Sequence, residues 1–407
     1  MGTKYLLKGG RLIDGKGNTL ENSALYIEDD KISKVGKADE LTVANDVTVI
    51  DITGKTVMPG FIDAHMHLIG VKNLNLAQAA LEPTELLMGR ALKDLDKLIN
   101  AGFTTIRDVG SPVAVHIKRL IKEGYYTGPR IHTAHLMLSQ TAGHGDIHNL
   151  PPEFNLFEVC DGPDECRKAA RKQFRAGADF IKISSSGGVL SEKDDPRSPQ
   201  FTVEEIKAIV YEAEAVGSYV ASHAQSTQGI KNALIAGVRT IEHGILIDDE
   251  GIEMMLERGA ILVPTLSIVK RIVEQGHLYG VPEFGLAKSR YFYKLHKQNV
   301  RKAYQAGVKI AGATDFLGCK PVEHGGNAEE YEIFVNELGL SPMEAITCGT
   351  QNAADALAIG DKTGSLEEGK LADVIVVNGN PLDDITVLLN TDNIEKVFVE
   401  GQLLKDR

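Results

Sequence analysis

Cysteine and long apolar runs are scarce in this sequence, and both absences exclude classes of protein. The four cysteines, Cys160, Cys166, Cys319 and Cys348, form no Cys-x-x-Cys pair, which argues against a disulfide framework or a structural zinc site and predicts reduced thiols. No run of about 20 apolar residues occurs, and the first residues lack the apolar stretch of a signal peptide. We therefore expect a soluble cytoplasmic protein with no membrane partner.

Positive charge is also in deficit. The 44 basic residues are outnumbered by 56 acidic ones, which leaves a net charge of -12. Such a chain repels phosphate backbones and anionic lipid surfaces, so we expect no nucleic-acid partner. With 407 residues, 43% of them hydrophobic, the chain is long enough for one large barrel with an accessory module or for two domains.

Both ends of the chain consist of short strand-like segments separated by turns. These segments cover residues 5–7, 11–13, 24–27, 32–35 and 47–50 near the start, and residues 372–377 and 396–403 near the end. Asp14-Gly15 supplies turn chemistry between the first of them. Either half alone would have exposed sheet edges, so we expect the two halves to pair. The predicted result is one β-sandwich domain built from residues 1–58 and 361–407.

Strand-like and helix-like segments alternate between these ends, over residues 59–360, as in a parallel α/β fold. Ala-Gly pairs at 101–102, 176–177, 236–237 and 306–307 stand where a helix would end with a left-handed residue before the next strand. The pattern predicts a (β/α)8 TIM-type barrel, with its chemistry at the carboxyl ends of the strands. The eight candidate strands cover residues 61–67, 104–109, 130–136, 179–184, 219–223, 240–243, 261–265 and 309–314.

Polar residues that suit metal binding cluster at the ends of these strands. Alternate side chains of a strand share a face, so His65 and His67 project together from the first one. A single His-x-His pair is weak support for a metal site, but further residues of the same kind lie on other strands and converge on one rim. The convergent set is His65, His67, Lys182, His223, His243 and Asp315.

Lys182 is the most informative member of this set. It lies within Phe180-Ile181-Lys182-Ile183, a buried-strand pattern, and an uncompensated ammonium inside a barrel is costly. A lysine with a neutral amine can take up carbon dioxide and become a carbamate, an anionic ligand able to bridge two metals. The alternatives are a lysine that extends to solvent or one that pairs with an acid.

Together these residues resemble the amidohydrolase superfamily with a binuclear metal centre. The resemblance rests on the metal set and on the segments PGFIDAHMH (59–67), GATD (312–315) and GSLEEGKLAD (364–373). It implies that His65, His67 and Asp315 bind one metal, and that carboxylated Lys182 bridges to a second metal held by His223 and His243. Zinc best suits such ligands, with manganese and iron as alternatives.

The same resemblance implies a mechanism. A hydroxide that bridges the two metals attacks an amide carbonyl, while Asp315 accepts its proton and passes it to the leaving nitrogen. The expected partner is a small-molecule substrate. Barrels of this superfamily are often homo-oligomeric, but no heptad pattern marks an interface in this sequence.

A glycine-flanked loop follows the third strand and narrows the choice of branch within the superfamily. Its full segment, SQTAGHGDIH at 139–148, leaves His144 free to hydrogen-bond a substrate carbonyl or carboxylate, and the alternative is an idle surface histidine. Together with the turn KISSSGGV (182–189) and the segment VRTIEHG (238–244), the loop resembles one branch of the superfamily, which contains zinc-dependent Xaa-Pro dipeptidases (prolidases), carboxypeptidases and hydrolases of aryl amides such as ochratoxin. Gln225 departs from a tyrosine found in some prolidase-like members, which leaves the preferred leaving residue open.

Two other readings of the sequence stay open. An imidazolonepropionase-like cyclic amide hydrolase or a deaminase shares the barrel, although many such enzymes lack the bridging lysine. A catalytically inert scaffold is the non-enzymatic alternative. Arg107 either pairs with a substrate carboxylate or locks Asp108 or a neighbouring loop, and the polar segments 151–164 and 191–200 are long enough to cover the pocket.

Overall fold

The computed structural model describes residues 4–43, 46–154 and 156–407. Residues 1–3, 44 and 45 of the predicted sandwich and residue 155 of the predicted covering segment lie outside the described residues. The strands in the described part are β1 (Lys4–Lys8), β2 (Arg11–Ile13), β3 (Thr19–Leu20), β4 (Ser23–Glu28), β5 (Lys31–Lys37), β6 (Thr48–Asp51), β7 (Thr56–Pro59), β8 (Phe61–Met66), β9 (Phe103–Asp108), β10 (Arg130–Thr133), β11 (Leu138–Ser139), β12 (Glu158–Val159), β13 (Ile181–Ser184), β14 (Val220–Ala224), β15 (Thr240–His243), β16 (Ile261–Val263), β17 (Val374–Val377), β18 (Ile394–Val399) and β19 (Gln402–Asp406).

Most of the α-helices lie between barrel strands in the sequence, and the last three come after the eighth barrel segment. They are α1 (Leu76–Ala80), α2 (Thr84–Asn100), α3 (Ala114–Lys122), α4 (Gly162–Ala176), α5 (Val203–Glu214), α6 (Thr227–Ala236), α7 (Asp249–Arg258), α8 (Leu266–Gln275), α9 (Glu283–Gln305), α10 (Glu329–Ile333), α11 (Pro342–Cys348) and α12 (Gln351–Ala356). Across the described ranges, no helix combines the length and the apolar character that crossing a bilayer requires.

The two ends of the chain meet in a β-sandwich. One sheet has the order β5-β4-β1-β6 and the other has the order β19-β18-β17-β7-β2-β3. In the second sheet β17, from the end of the chain, runs antiparallel to β7, with Val376 opposite Val57. Leu25, Phe398 and their apolar neighbours fill the space between the sheets. The pairing of the two ends confirms the predicted sandwich, while the domain bounds at 58 and 361 stay a prediction.

The remaining strands form the predicted barrel. Strands β8, β9 and β10 are parallel neighbours, and β11, β13, β14, β15 and β16 continue the parallel order. The ring closes through the eighth segment, where Ala311 N donates to Leu262 O at 2.9 Å on one side and Ala64 N donates to Gly312 O at 3.1 Å on the other. This closed parallel ring confirms the predicted fold class.

Several predicted strands are shorter than expected, and the third and the eighth differ most. The third ends at Thr133 rather than at residue 136, because His135 has a φ of 59° and turns the chain out of the extended region. The eighth is reduced to a single bridge between Ile310 and Leu262. Gly312 N donates to Cys348 O instead of to a barrel strand, which interrupts the hydrogen-bonding ladder.

Local chemistry sets the helix ends. Thr202 and Glu205 form a capping box at the start of α5, in which each side chain accepts a hydrogen bond from the backbone of the other. The glycines of the Ala-Gly pairs are left-handed as predicted, with φ of 84° at Gly102, 106° at Gly177, 98° at Gly237 and 94° at Gly307. Each of these helices therefore ends directly before the next strand. The strands then run in the same direction, so their carboxyl ends lie at one rim of the barrel.

Candidate metal centre

The carboxyl ends of five barrel segments bring the predicted metal set together. His65 lies on β8 and His67 just beyond it, while Lys182, His223 and His243 lie on β13, β14 and β15. Three donors of the set form one cluster: a ring nitrogen of His65, a ring nitrogen of His243 and a carboxylate oxygen of Asp315 lie within 4.8 Å of one another. This is the spacing of atoms that could share one ion.

Asp315 is the common neighbour of the first two histidines. Its Oδ1 lies 3.2 Å from His65 Nε2 and 3.3 Å from His67 Nε2. Burial acts to raise the pKa of Asp315, but His65 and His67 hold this pKa well below its ordinary value. The carboxylate is therefore ionised near neutral pH, which suits a metal ligand.

The other histidines continue as a chain of rings. The ring centroids of His65 and His243 are 4.9 Å apart, and those of His243 and His223 are 4.6 Å apart. Burial lowers the pKa of His223 and of His243 well below the ordinary value. Both rings are therefore neutral and each offers a lone pair to a metal ion.

Oxygen partners fix which ring nitrogen is left free. His65 Nδ1 lies 2.6 Å from Glu242 Oε2, His67 Nδ1 lies 2.9 Å from Gly110 O, and His243 Nδ1 lies 2.7 Å from Thr265 Oγ1. A hydrogen on Nδ1 would donate to each oxygen and leave the Nε2 lone pair for a metal, as metal-binding histidines commonly do. His223 has the reverse arrangement, with Nε2 3.1 Å from Gly187 O.

Lys182 meets neither of the simpler descriptions that the sequence allowed. Its side chain is only 1% exposed, so it does not extend to solvent. Among the described residues its Nζ has no hydrogen-bond partner. Burial lowers the pKa of Lys182 to about 8, partly offset by Glu242 and Asp315. An unpaired buried amine beside neutral imidazoles and a carboxylate fits a site completed by a carbamate and divalent metals.

The sequence did not reveal the most deeply buried ion pair of the site. Arg107 and Glu242 are fully buried and pair at 2.8 Å, and Arg107 Nε also donates to Ala64 O. In the described structure Arg107 donates to Ala64, Thr240 and Glu242 rather than to the side chain of Asp108, so the suggested lock on Asp108 is not formed. Pairing of Arg107 with a substrate carboxylate stays a prediction. Glu242 joins this pair to His65. The one signal in the sequence was an acid inside a buried strand, directly before His243.

Asp63 is a second residue that the sequence reasoning passed over. It is fully buried and accepts hydrogen bonds from Thr314 N at 3.1 Å, from Thr314 Oγ1 at 2.6 Å and from Asn327 Nδ2 at 2.7 Å. Its Oδ1 also accepts from His65 N at 3.1 Å. Asp63 thereby ties the first strand to the eighth segment and sets the distance between His65 and Asp315.

His144, in the loop after the third strand, lies beside the predicted metal ligands. Its ring stacks on that of His223 with centroids 4.2 Å apart. His144 Nδ1 lies 2.8 Å from Ser191 Oγ, and Ser191 Oγ in turn donates to Asp194. The polar segment 191–200 therefore does reach the site, and Lys288 Nζ on α9 anchors it by donating to Ser191 O at 2.8 Å.

Two further residues clarify the surroundings. Gln225 is buried, and its Oε1 has no hydrogen-bond partner in the part of the chain that the structure describes. His296 is also buried on α9, with Nε2 2.8 Å from His243 O. It therefore supports the backbone of the candidate site.

Comparison with known proteins agrees with this geometry. A model described as the amidohydrolase family matches residues 56–404. An ochratoxinase from Aspergillus niger is 34% identical over 424 aligned residues, which cover 98% of this chain and 86% of the relative.

Two solved structures share the whole architecture. A prolidase complexed with N-methylphosphonate-L-proline has a TM-score of 0.93 at 35% identity, with 100% of both chains covered. A Xaa-Pro dipeptidase with bound methionine in the active site has a TM-score of 0.90 at 37% identity, with 99% of this chain and 100% of the other covered.

Proposed function

Since the chain belongs to the amidohydrolase family and is a hydrolase acting on C–N bonds, we propose that it cleaves the amide bond of dipeptides or N-acyl amino acids. The observation that supports this most is the convergence of His65, His243 and Asp315 donors within 4.8 Å. Such a cluster, open towards a loop histidine, suits metal-assisted hydrolysis.

The proposed centre holds two divalent metals, and zinc suits the donor set best. His65, His67 and Asp315 would hold one ion, and His223 and His243 the other. Lys182, converted to N6-carboxylysine, would supply the bridging anion. Its support here is the orphaned Nζ in a fully buried setting. When bound, two such ions acidify a water molecule and polarise the scissile carbonyl.

Asp315 acts as the proton carrier of the proposed reaction. The depressed pKa of its carboxylate keeps it ionised before the reaction. It would accept the proton of the attacking water at a carboxylate oxygen and deliver it to the leaving nitrogen, so the amine departs uncharged. The backbone at Asp315 is held in place because Asp315 N donates to His65 O, and His65 N donates in turn to Asp63 Oδ1.

His144 orients the substrate in this proposal. Because Nδ1 faces Ser191 Oγ, Nε2 is the nitrogen left for a substrate carbonyl or carboxylate oxygen. The ring of His144 stacks on that of His223, a proposed ligand of the second metal, which supports this role. A donor aimed at charge that develops on the substrate oxygen accelerates acyl transfer.

The substrate class rests on relatives as well as on geometry. The relatives include an ochratoxinase, a prolidase and a Xaa-Pro dipeptidase. These names point to substrates in which an amide bond joins an acyl group to an amino acid with a free carboxylate. We therefore propose that class, including ochratoxin-type aryl amides. The buried, unpaired Oε1 of Gln225 marks it as the residue to vary when the leaving group is mapped.

The decisive experiment is a substrate panel with zinc-reconstituted protein and a chelator-treated control. The panel should contain Xaa-Pro, Xaa-Arg and Xaa-Lys dipeptides, N-acyl amino acids, an ochratoxin-type amide and cyclic amides such as imidazolones. Metal-dependent release of a C-terminal amino acid supports the proposal. Turnover of cyclic amides alone would favour the imidazolonepropionase-like alternative, and a zinc-loaded but inert protein would favour the scaffold.

A further inference from the structure

Thr265, the residue before α8, has an unusual backbone. Its φ of 55° and ψ of 52° are left-handed, a region that β-branched residues rarely adopt. The residue is fully buried, so no loop freedom explains the conformation. Strain of this kind persists only where the surrounding structure enforces it, and it is concentrated at functional sites.

The hydroxyl of Thr265 does not perform the task expected at this position. A threonine at a helix N-cap usually accepts a hydrogen bond from the second or third residue of its own helix. Thr265 makes no such capping bond. Its Oγ1 lies instead 2.7 Å from His243 Nδ1, so the left-handed backbone turns the hydroxyl away from the helix and towards the histidine.

A distant carboxylate takes over the missing cap. Glu330 on α10 is fully buried, and it accepts hydrogen bonds from Leu266 N at 2.8 Å and from Ser267 N at 2.7 Å, one on each oxygen. Burial raises the pKa of Glu330 to about 8, and its two oxygens satisfy backbone N–H groups that the start of a helix leaves unpaired. Because both oxygens of Glu330 hold the residues directly after Thr265, the carboxylate stabilises the first turn of α8 while Thr265 stays strained.

The backbone of His243 is held independently. His296 Nε2 lies 2.8 Å from His243 O, and His243 itself has a φ of 68°. The imidazole of His243 can still rotate about its side-chain bonds, and Thr265 Oγ1 is the partner that restricts this rotation.

Glu329, which precedes Glu330 on α10, makes different contacts, with Lys270 at 2.8 Å and with Arg271.

We propose that Thr265 is a positioning residue that orients His243 towards the metal centre, and that Glu330 holds Thr265 in the conformation this requires. The inference deepens the proposed function and rests on it, since His243 must be a metal ligand. It adds an outer layer, from α10 through α8 to β15, that the metal set alone does not contain.

The test uses isosteric variants of the full-length protein and measures zinc affinity by competition with a chelator. Thr265→Val keeps the shape and the β-branch but removes the hydroxyl. Thr265→Ser keeps the hydroxyl and removes the methyl group. We expect Thr265→Val to weaken one of two zinc equivalents by about 10- to 100-fold, as loss of an outer-layer partner does. Thr265→Ser should stay within about 3-fold of wild type, on the same scale.

Glu330→Gln and Glu329→Gln form the matched pair for the second half of the proposal. Glu330→Gln should weaken the same zinc equivalent, whereas Glu329→Gln should leave it unchanged. If Glu330→Gln does not fold, the two Thr265 variants still decide the matter, because neither alters the packing of α10.

Three outcomes overturn the inference. One is unchanged zinc affinity in Thr265→Val, and another is equal loss in Thr265→Ser, which would show that the hydroxyl is irrelevant. A wild-type chain that binds no zinc would overturn the proposed function together with the inference. A wild type that binds zinc but cleaves nothing on the panel would defeat the proposed substrate class alone, since zinc affinity is measured without turnover.

Discussion

The mouth of the barrel and the core of the β-sandwich are equally well buried, but opposite kinds of residue fill them. The mouth encloses His65, Lys182 and Glu242, all at most 1% exposed. The sandwich core is apolar, with Leu25 and Phe398 among its fully buried members. Burial of apolar area stabilises a fold, whereas burial of charge costs free energy unless partners compensate it.

Backbone strain follows the same division. Left-handed non-glycine residues at the mouth, such as His243 and Thr265, are buried. Those of the sandwich, Asn22, Asp29 and Glu400, lie in exposed turns, where such conformations are ordinary. The comparison teaches that one part of the molecule supplies stability while the other uses some of it to hold reactive groups in place.

The largest expected effect at the mouth comes from Lys182→Ala. Without the bridging anion we expect loss of most bound metal and a fall in kcat/KM of about 10³-fold or more, since activation of the nucleophile is lost. Added small carboxylates should restore part of both. Metal content by mass spectrometry and amide hydrolysis give the two readings, with Lys309→Ala, a surface lysine paired with Asp355, as the control. Unchanged metal content in Lys182→Ala would refute the bridging role.

The sandwich should respond in the opposite way. Leu25→Ala removes a fully buried side chain and should lower the free energy of unfolding by about 3 kcal/mol, the cost of a cavity in an apolar core. Metal content and kcat of the folded protein should not change. Denaturant unfolding and assays below the transition measure both, and Leu256→Ala, at a position 46% exposed, is the control. A lowered kcat at full folding would break the division between the two regions.

His144→Ala tests whether chemistry at the mouth extends beyond the metal set. We expect metal content to stay at the wild-type level while kcat falls by about 10²-fold, as when one oxyanion donor is removed. His116→Ala, an exposed histidine on α3, should behave like wild type. Wild-type kinetics in His144→Ala would mean that the loop histidine does not contact substrate.

From pH 6.5 down to about 5, where histidines titrate and carboxylates stay ionised, acid should act on the barrel rather than on the sandwich, because no histidine lies in residues 4–43, 46–58 or 361–407. Burial lowers the pKa of His132 to about 4, below its value near 6.5 in the unfolded chain, so the unfolded chain binds the proton first. Its contribution to stability is present above pH 6.5 and is lost as the pH falls to about 4, at up to about 1.4 kcal/mol per pH unit.

The change in the free energy of unfolding per pH unit can be measured by denaturant unfolding at a series of pH values. A metal chelator is present throughout, so that metal release does not contribute. His132→Phe preserves the stack with Phe180 and should make the slope shallower. An equal slope in His132→Phe and wild type would assign the acid sensitivity to other groups.

The smallest expected effect comes from Asp194→Asn. Asp194 accepts a hydrogen bond from Ser191, which in turn contacts His144 Nδ1. Loss of the charge should reduce kcat by about 10-fold, less than removal of the ring, because the histidine remains but is held more loosely. Asp195→Asn, one position along the same loop and paired with Arg197, should leave kcat unchanged. Equal loss in both variants would point to the loop as a whole.

Much of this architecture was accessible from the sequence. The alternation of segments and the Ala-Gly pairs predicted eight parallel strands and their order, and the parallel order alone places His65, Lys182, His223 and His243 on one rim, because the carboxyl ends of parallel strands face the same way. The position of His144 after the third strand also predicted that loop 139–148 lies at this rim, and in the structure the ring of His144 stacks on that of His223.

Strand direction and hydrophobic period are local properties, so they predict from the amino-acid order which residues share the mouth of the barrel and which form the apolar sandwich. The partners of these residues depend on how the chain folds. Glu242 meets Arg107, and Glu330 meets the start of α8, across 135 and 64 residues of sequence. Such pairings, and the left-handed backbone of Thr265, arise from packing between distant elements, which no local pattern encodes.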